Sequence, residues 1–340
     1  MPISAVRTAL VPGPDQGSQV MLELSSTDRC RGVGCAAGDE ELLAELDREI
    51  APDLLGSDPT LIEARLHALP TAASREARCA VELALWDLLG QLAEAPLHQI
   101  WGGHSQRLPG MGQLGPADEA GLARQAEQLA GRGFRALVVD VPPGSSASSF
   151  LTSAGELRRT LGPEFGLAAR WLSASSAADA DLLRLVAGLE ELDTLWLELP
   201  GGESAERLET IRSRARTLMI VAGAPDLPGL ERLVRSECCD ILRPPAQLMS
   251  MLTLWKVAGL AESANLGFLT PPALTPLAAQ AGLHLSLAVP ACDWVILGAP
   301  GTRTGLPDSE GWVAASPEPG FGFRCDPALF SDSGVPAARW

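Results

Sequence analysis

Four charged residues sit in or just after short apolar runs. Asp140 lies near the end of ALVVDV (136–141), Arg170 in Leu167–Leu172 and Glu198 in Thr194–Leu199, and Arg243 follows Cys239–Leu242. Carboxylates in such a setting can give or take a proton, and a guanidinium offers a planar fork of donors that grips an anion. Asp226 stands a little beyond a fifth run, Thr217–Ala222. The residue types that are scarce say as much. Lys256 is the single lysine among 26 basic residues, the four histidines are His67, His98, His104 and His284, and tyrosine is absent. Chemistry that needs two lysines is therefore excluded. The seven cysteines form no pair of CxxC motifs, so a zinc site is not expected. They read as small buried hydrophobes in a reducing compartment.

Positioning these side chains requires a regular frame, and the chain supplies its rhythm. From about Met111 onward, short β-like runs alternate with amphipathic helical stretches such as 118–131. Adding an opening run at Gly110–Leu114 and later ones at Leu266–Leu269 and Trp294–Leu297 makes eight. Eight such units in about 200 residues predict parallel strands with crossover helices closed into a β/α barrel. Upstream, alternation at Val20, Leu22 and Leu24 predicts strands, and 39–70 reads as helical. The stretch 74–103, SREARCAVELALWDLLGQLAEAPLHQIWGG, carries apolar residues at Val81, Ala84, Leu85, Leu88, Leu89 and Leu92. That spacing predicts a core helix with an acidic, cap-competent start at Ser74 and an end before Pro96.

The 340 residues suffice for a barrel plus a smaller domain. A net charge of −16 opposes nucleic-acid binding. No apolar run reaches the length of a membrane span, and the first residues lack a signal-peptide pattern, so a cytoplasmic protein without a membrane partner is expected.

The wording of 74–103 resembles the junction into the barrel in the enolase superfamily, on its mandelate racemase/muconate lactonizing enzyme branch. The resemblance extends over most of the chain. It implies an α/β fold: a (β/α)8-type barrel with an α+β capping domain built from the N-terminal segment and the C-terminal tail. The expected division is a capping domain at 1–108, a barrel at 109–316 and a return to the cap at 317–340. Homo-oligomers are common in such a family, so one is expected here.

The resemblance also implies a chemistry: removal of a proton beside a carboxylate, with the enediolate held by Mg²⁺ on three carboxylates. This chain departs from that pattern strand by strand. GFRALVVDV places Val138 and Asp140 where the family carries a Lys-x-Lys base. GLAARWL puts Arg170 in place of a ligand aspartate, a permanent cation where a metal ligand belongs. LWLELP keeps one ligand position as Glu198; IVAGAPD has Ala224 at the next, with Asp226 two residues on. DILRPPA brings in Arg243, and GFLTPPAL has proline where a histidine base would stand. The expectation is thus no cofactor, with a degenerate magnesium site of Glu198 and Asp226 as the alternative. Arg170 is expected to occupy the former metal position and to pair with both Asp140 and Glu198, Arg243 completing the pocket.

Three readings compete. The first is a divergent member that has lost Mg-dependent proton abstraction and serves as a binding or regulatory barrel. The second is a metal-independent enzyme that reuses the mouth on a small anionic molecule. The third is a Mg-dependent racemase, epimerase or cycloisomerase with an atypical site. An active protein would be an isomerase or lyase of the superfamily's kind.

Overall fold

A computed structural model describes residues 1–13, 17–115, 119–141, 144–172, 177–199, 201, 203–246, 250–297 and 306–330. The N-terminal strands β1 (Ile3–Pro12), β2 (Ser18–Ser26) and β3 (Arg31–Ala37) form an antiparallel sheet in that order. The alternating Val20, Leu22 and Leu24 are fully buried beneath it. Helical segments at Glu40–Leu54 and Ile62–Ala68 follow; the first is interrupted by a π-helical turn at Leu46–Ile50.

The expected core helix spans Arg75–Leu92. Ser74 caps it by accepting the Ala77 N–H, and Glu45 in turn accepts the Ser74 N–H at 2.6 Å and its hydroxyl at 2.7 Å. The helix lies directly on β3. A Cβ at Gly34 would run into the Ala80 carbonyl oxygen, and one at Gly32 would meet the Leu88 backbone. Glycines facing alanines allow this close approach. Asp87, 2% exposed, accepts the Val33 N–H at 2.9 Å and the Phe321 N–H at 2.8 Å. One buried carboxylate thereby ties strand, helix and the C-terminal return together. Burial pushes its pKa up to about 6, although those backbone bonds and Gln91 pull the other way. The return is described as far as Phe330; residues 331–340 lie outside the described part.

The barrel strands are β4 (Leu108–Leu114), β5 (Ala136–Val141), β6 (Gly166–Trp171), β7 (Trp196–Leu199), β8 (Met219–Ala222), β9 (Ile241–Leu242), β10 (Gly267–Phe268) and β11 (Val295–Leu297). They run parallel in sequence order, and β11 pairs with β4. At the β10–β11 seam the Phe268 N–H donates to the Ala291 carbonyl at 2.7 Å. A short β12 (Trp312–Val313) adds antiparallel to the start of β4. Strand alternation sorts the side chains. Met111, Ala136, Val138, Ala168, Trp196, Val221, Ile241 and Leu269 fill the barrel interior. Leu137, Val139, Leu167, Ala169, Trp171, Leu197 and Leu199 join the core shared with the helices. Among the described residues, no helix is long and apolar enough to cross a membrane.

Candidate functional site

The same alternation decides where the charged residues point. Asp140 is two positions beyond Val138, Arg170 two beyond Ala168 and Glu198 two beyond Trp196, so all three face the barrel interior at the C-terminal ends of their strands. Register places them side by side, since Asp140 pairs with Arg170 and Arg170 with Glu198. Trp171 takes the opposite face, against the helices. Catalytic groups of β/α barrels gather at this end.

All four groups are buried: Asp140 is 4% exposed, Arg170 7%, Glu198 2% and Arg243 4%. Arg170 grips Asp140 with both arms of its fork, Nε to Oδ1 at 2.8 Å and Nη2 to Oδ2 at 2.7 Å. Gln113, from β4, donates to the same Oδ2 at 3.3 Å. Arg243 donates from Nη1 to Glu198 Oε2 at 2.7 Å and from Nε to the Thr270 carbonyl at 3.2 Å. Burial pulls the Arg170 guanidinium down, but the hydrogen bonds and charge of Asp140, with the charge of Glu198, outweigh it and hold the group above its ordinary range.

The pairing differs from the expectation in one respect. Arg170 does not bridge Asp140 and Glu198; Glu198 is bound to Arg243. Arg170 turns Nε and Nη2 to Asp140 in a bidentate grip, and Glu198 is met instead by the arginine arriving after β9. The mouth is therefore a row of alternating charge, Asp140–Arg170 beside Glu198–Arg243. Asp226 is not part of it. Its exposed side chain caps the Leu227–Arg235 helix, accepting the Gly229 N–H at 2.7 Å.

Among the described residues, no lysine or histidine reaches this row. Lys256 lies exposed on the Met251–Ser263 helix, 3.3 Å from Glu63. His98 and His284 face each other from the Leu97–Ile100 and Pro276–Ala288 helices, with ring nitrogens 3.3 Å apart. Burial and the neighbouring His98 lower the pKa of His284 to about 4, which keeps that ring neutral. Sequence reasoning passed over Gln113 and the Thr270 carbonyl. The first carried a faint signal, being the polar side chain in the strand LPGMGQL. A backbone carbonyl carries none.

A capping sheet over a parallel eight-stranded barrel, with buried charges at its C-terminal mouth, defines a capped β/α barrel of the enolase kind. The chain belongs to the mandelate racemase/muconate lactonizing enzyme family. Residues 6–102 match "Mandelate racemase / muconate lactonizing enzyme, N-terminal domain", and 121–329 match "Enolase C-terminal domain-like". A D-galactonate dehydratase family member from Oceanicola granulosus is 26% identical over 336 residues, covering 82% of each chain. Another from a Streptomyces species is 32% identical over 173 residues; the match covers 46% of this chain and 38% of the relative. A racemase from Streptomyces coelicolor, solved with bound magnesium, superposes with a TM-score of 0.78 at 22% identity, covering 98% of this chain and all of that one.

That last comparison overturns the expectation of no cofactor, because a protein of this fold carries magnesium. Magnesium is the ion against which the mouth has to be measured. A hard cation takes oxygen donors. Here Arg170 presents a guanidinium, Glu198 Oε2 already accepts from Arg243, and both Asp140 oxygens accept from Arg170. Among the described residues, no three His, Cys, Asp or Glu side chains gather as a ligand set. The donors present are thus paired with cationic side chains and do not fit the ion as a ready set.

Proposed function

We propose that this chain is a family member whose barrel mouth has passed from proton abstraction to binding a small anionic molecule. The observation that supports this most is the pair of buried ion pairs. Asp140 and Glu198, the carboxylates available as bases, are each held by an arginine. Asp140 spends both oxygens, and Glu198 its Oε2, on a guanidinium, so lone pairs that a base would turn to a substrate proton are engaged. Binding capacity remains. Among the described residues, Nη1 of Arg170 and Nη2 of Arg243 carry no hydrogen bond, so each fork keeps N–H donors for an incoming oxyanion.

The relatives' names supply the substrates to try: a D-galactonate dehydratase family member, an N-succinyl-L-Arg/Lys racemase and a 3,6-anhydro-alpha-L-galactonate cycloisomerase. Incubating the protein with D-galactonate or N-succinyl-L-arginine in D₂O, with Mg²⁺ present, tests the loss of chemistry. The expected result is no deuterium at the carbon beside the carboxylate and no dehydration. Magnesium-dependent deuteration of either compound overturns the proposal. Titration with the same carboxylates should give saturable binding that weakens in Arg243→Lys, which keeps the charge and loses the fork.

A further inference from the structure

A concavity lies between the capping domain and the barrel. It holds about 380 Å³. One wall is a single face of the core helix, with Arg75, Arg78, Cys79 and Glu82 at i, i+3, i+4 and i+7. The end of β3, Cys35–Ala37, and Leu66 form the capping side. The barrel contributes Ala246, Ser250, Thr253, Leu274, Thr275 and Ala278. None of Asp140, Arg170, Glu198 or Arg243 lines it.

Most of its polar groups are committed to the wall. Glu82 accepts the Leu252 N–H at 2.8 Å, and burial raises its pKa. Arg78 donates to the Leu66 and Pro70 carbonyls at 2.9 and 2.8 Å. The Cys35 thiol donates to the Thr275 hydroxyl at 3.0 Å, and burial pushes its pKa up to about 11. Their roles are structural, and the interior they leave is apolar. The rim differs. Arg75 is exposed in the first turn of the core helix, and among the described residues its guanidinium makes no ion pair. Glu76 stands beside it, also exposed.

We infer that this cleft binds an amphipathic monocarboxylate, with its hydrocarbon body against Ala36, Leu66, Leu274 and Ala278 and its carboxylate at Arg75. The volume falls in the range of small-molecule pockets. A carboxylate at Arg75 also lies at the positive end of the core-helix dipole. Glu76 opposes a second negative charge, which selects a mono-acid over a di-acid. The net charge of −16 acts against an anion mainly at long range, where salt screens it beyond about 8 Å.

Calorimetric titration of the whole chain with sodium octanoate tests the inference. Saturable binding is expected, with hexanoate weaker by about fifteenfold, since it lacks two methylenes and each buried one contributes about fourfold. Arg75→Ala should weaken octanoate about twofold to fivefold, on the scale of an exposed ion pair, since the helix dipole stays. Ala278→Trp should abolish binding by filling the cleft; Thr253→Trp provides a second filling variant, each checked for an unchanged urea midpoint. Arg243→Lys, which loosens the mouth, should still show the octanoate binding that both tryptophan variants lose. Three results would each overturn the inference: no heat at millimolar octanoate, binding lost in Arg243→Lys but kept in both tryptophan variants, or tighter binding of octylammonium than of octanoate.

Discussion

Replacing Glu198 with alanine removes the carboxylate that faces Arg243 across 2.7 Å. Both side chains are about 3% exposed, so bulk water replaces the lost partner poorly. The guanidinium would keep one described contact, the Thr270 carbonyl at 3.2 Å. Arg170 would lose a stabilising charge as well. Breaking a buried pair from one side costs about 3–5 kcal/mol, most of it the penalty of an uncompensated charge. The exposed pair Lys256–Glu63 serves as an internal control. Its partners are 67% and 58% exposed, and Lys256→Ala should cost no more than about 1 kcal/mol. Urea unfolding followed by far-UV circular dichroism gives both values. The double change Glu198→Leu with Arg243→Met removes both charges and keeps apolar volume. It should fall near the parent, or above it by about 1–4 kcal/mol. The reasoning fails if Glu198→Ala costs less than about 0.5 kcal/mol, or if the double variant is as unstable as the single one.

Asp87 predicts a pH dependence with a definite sign. Its folded pKa of about 6 exceeds the ordinary 3.8, so the folded state binds the proton more tightly. Its contribution to stability is present in full below the ordinary value and is lost as pH rises through about 6. The span corresponds to about 3 kcal/mol, and Asp87→Asn should flatten this part of a urea-midpoint profile between pH 4 and 7. An unchanged profile would refute the assignment. Gly34→Ala should destabilise by about 1–3 kcal/mol or more, because its Cβ meets the Ala80 carbonyl and β3 would have to lift off the helix; a neutral urea midpoint would contradict the close packing. Ser74→Ala should cost about 1 kcal/mol through the lost cap of the same helix, read as a lower urea midpoint. A loss confined to the surface range of about 0.5 kcal/mol would show that Glu45 satisfies that helix end alone.

Much of the fold is legible in the amino-acid sequence. The alternation of short apolar runs with amphipathic helices predicts eight parallel strands, because period 2 and period 3.6 leave different marks on a chain. The run AVELALWDLLG at the core helix points to the family, and one lysine is enough to exclude a two-lysine site. Strand alternation also says that either Arg170 or Trp171, never both, enters the barrel. Tertiary structure decided which, and it decided the partners. Register sets Arg170 beside both Asp140 and Glu198; its fork closes on Asp140, and Glu198 takes Arg243 from a strand two places away. No local pattern encodes that choice, since it depends on distances between side chains 30 and 45 positions apart in sequence. The cleft under the capping sheet is the same kind of feature. Its walls come from five separated stretches between Cys35 and Ala278, and only packing brings them to face one cavity.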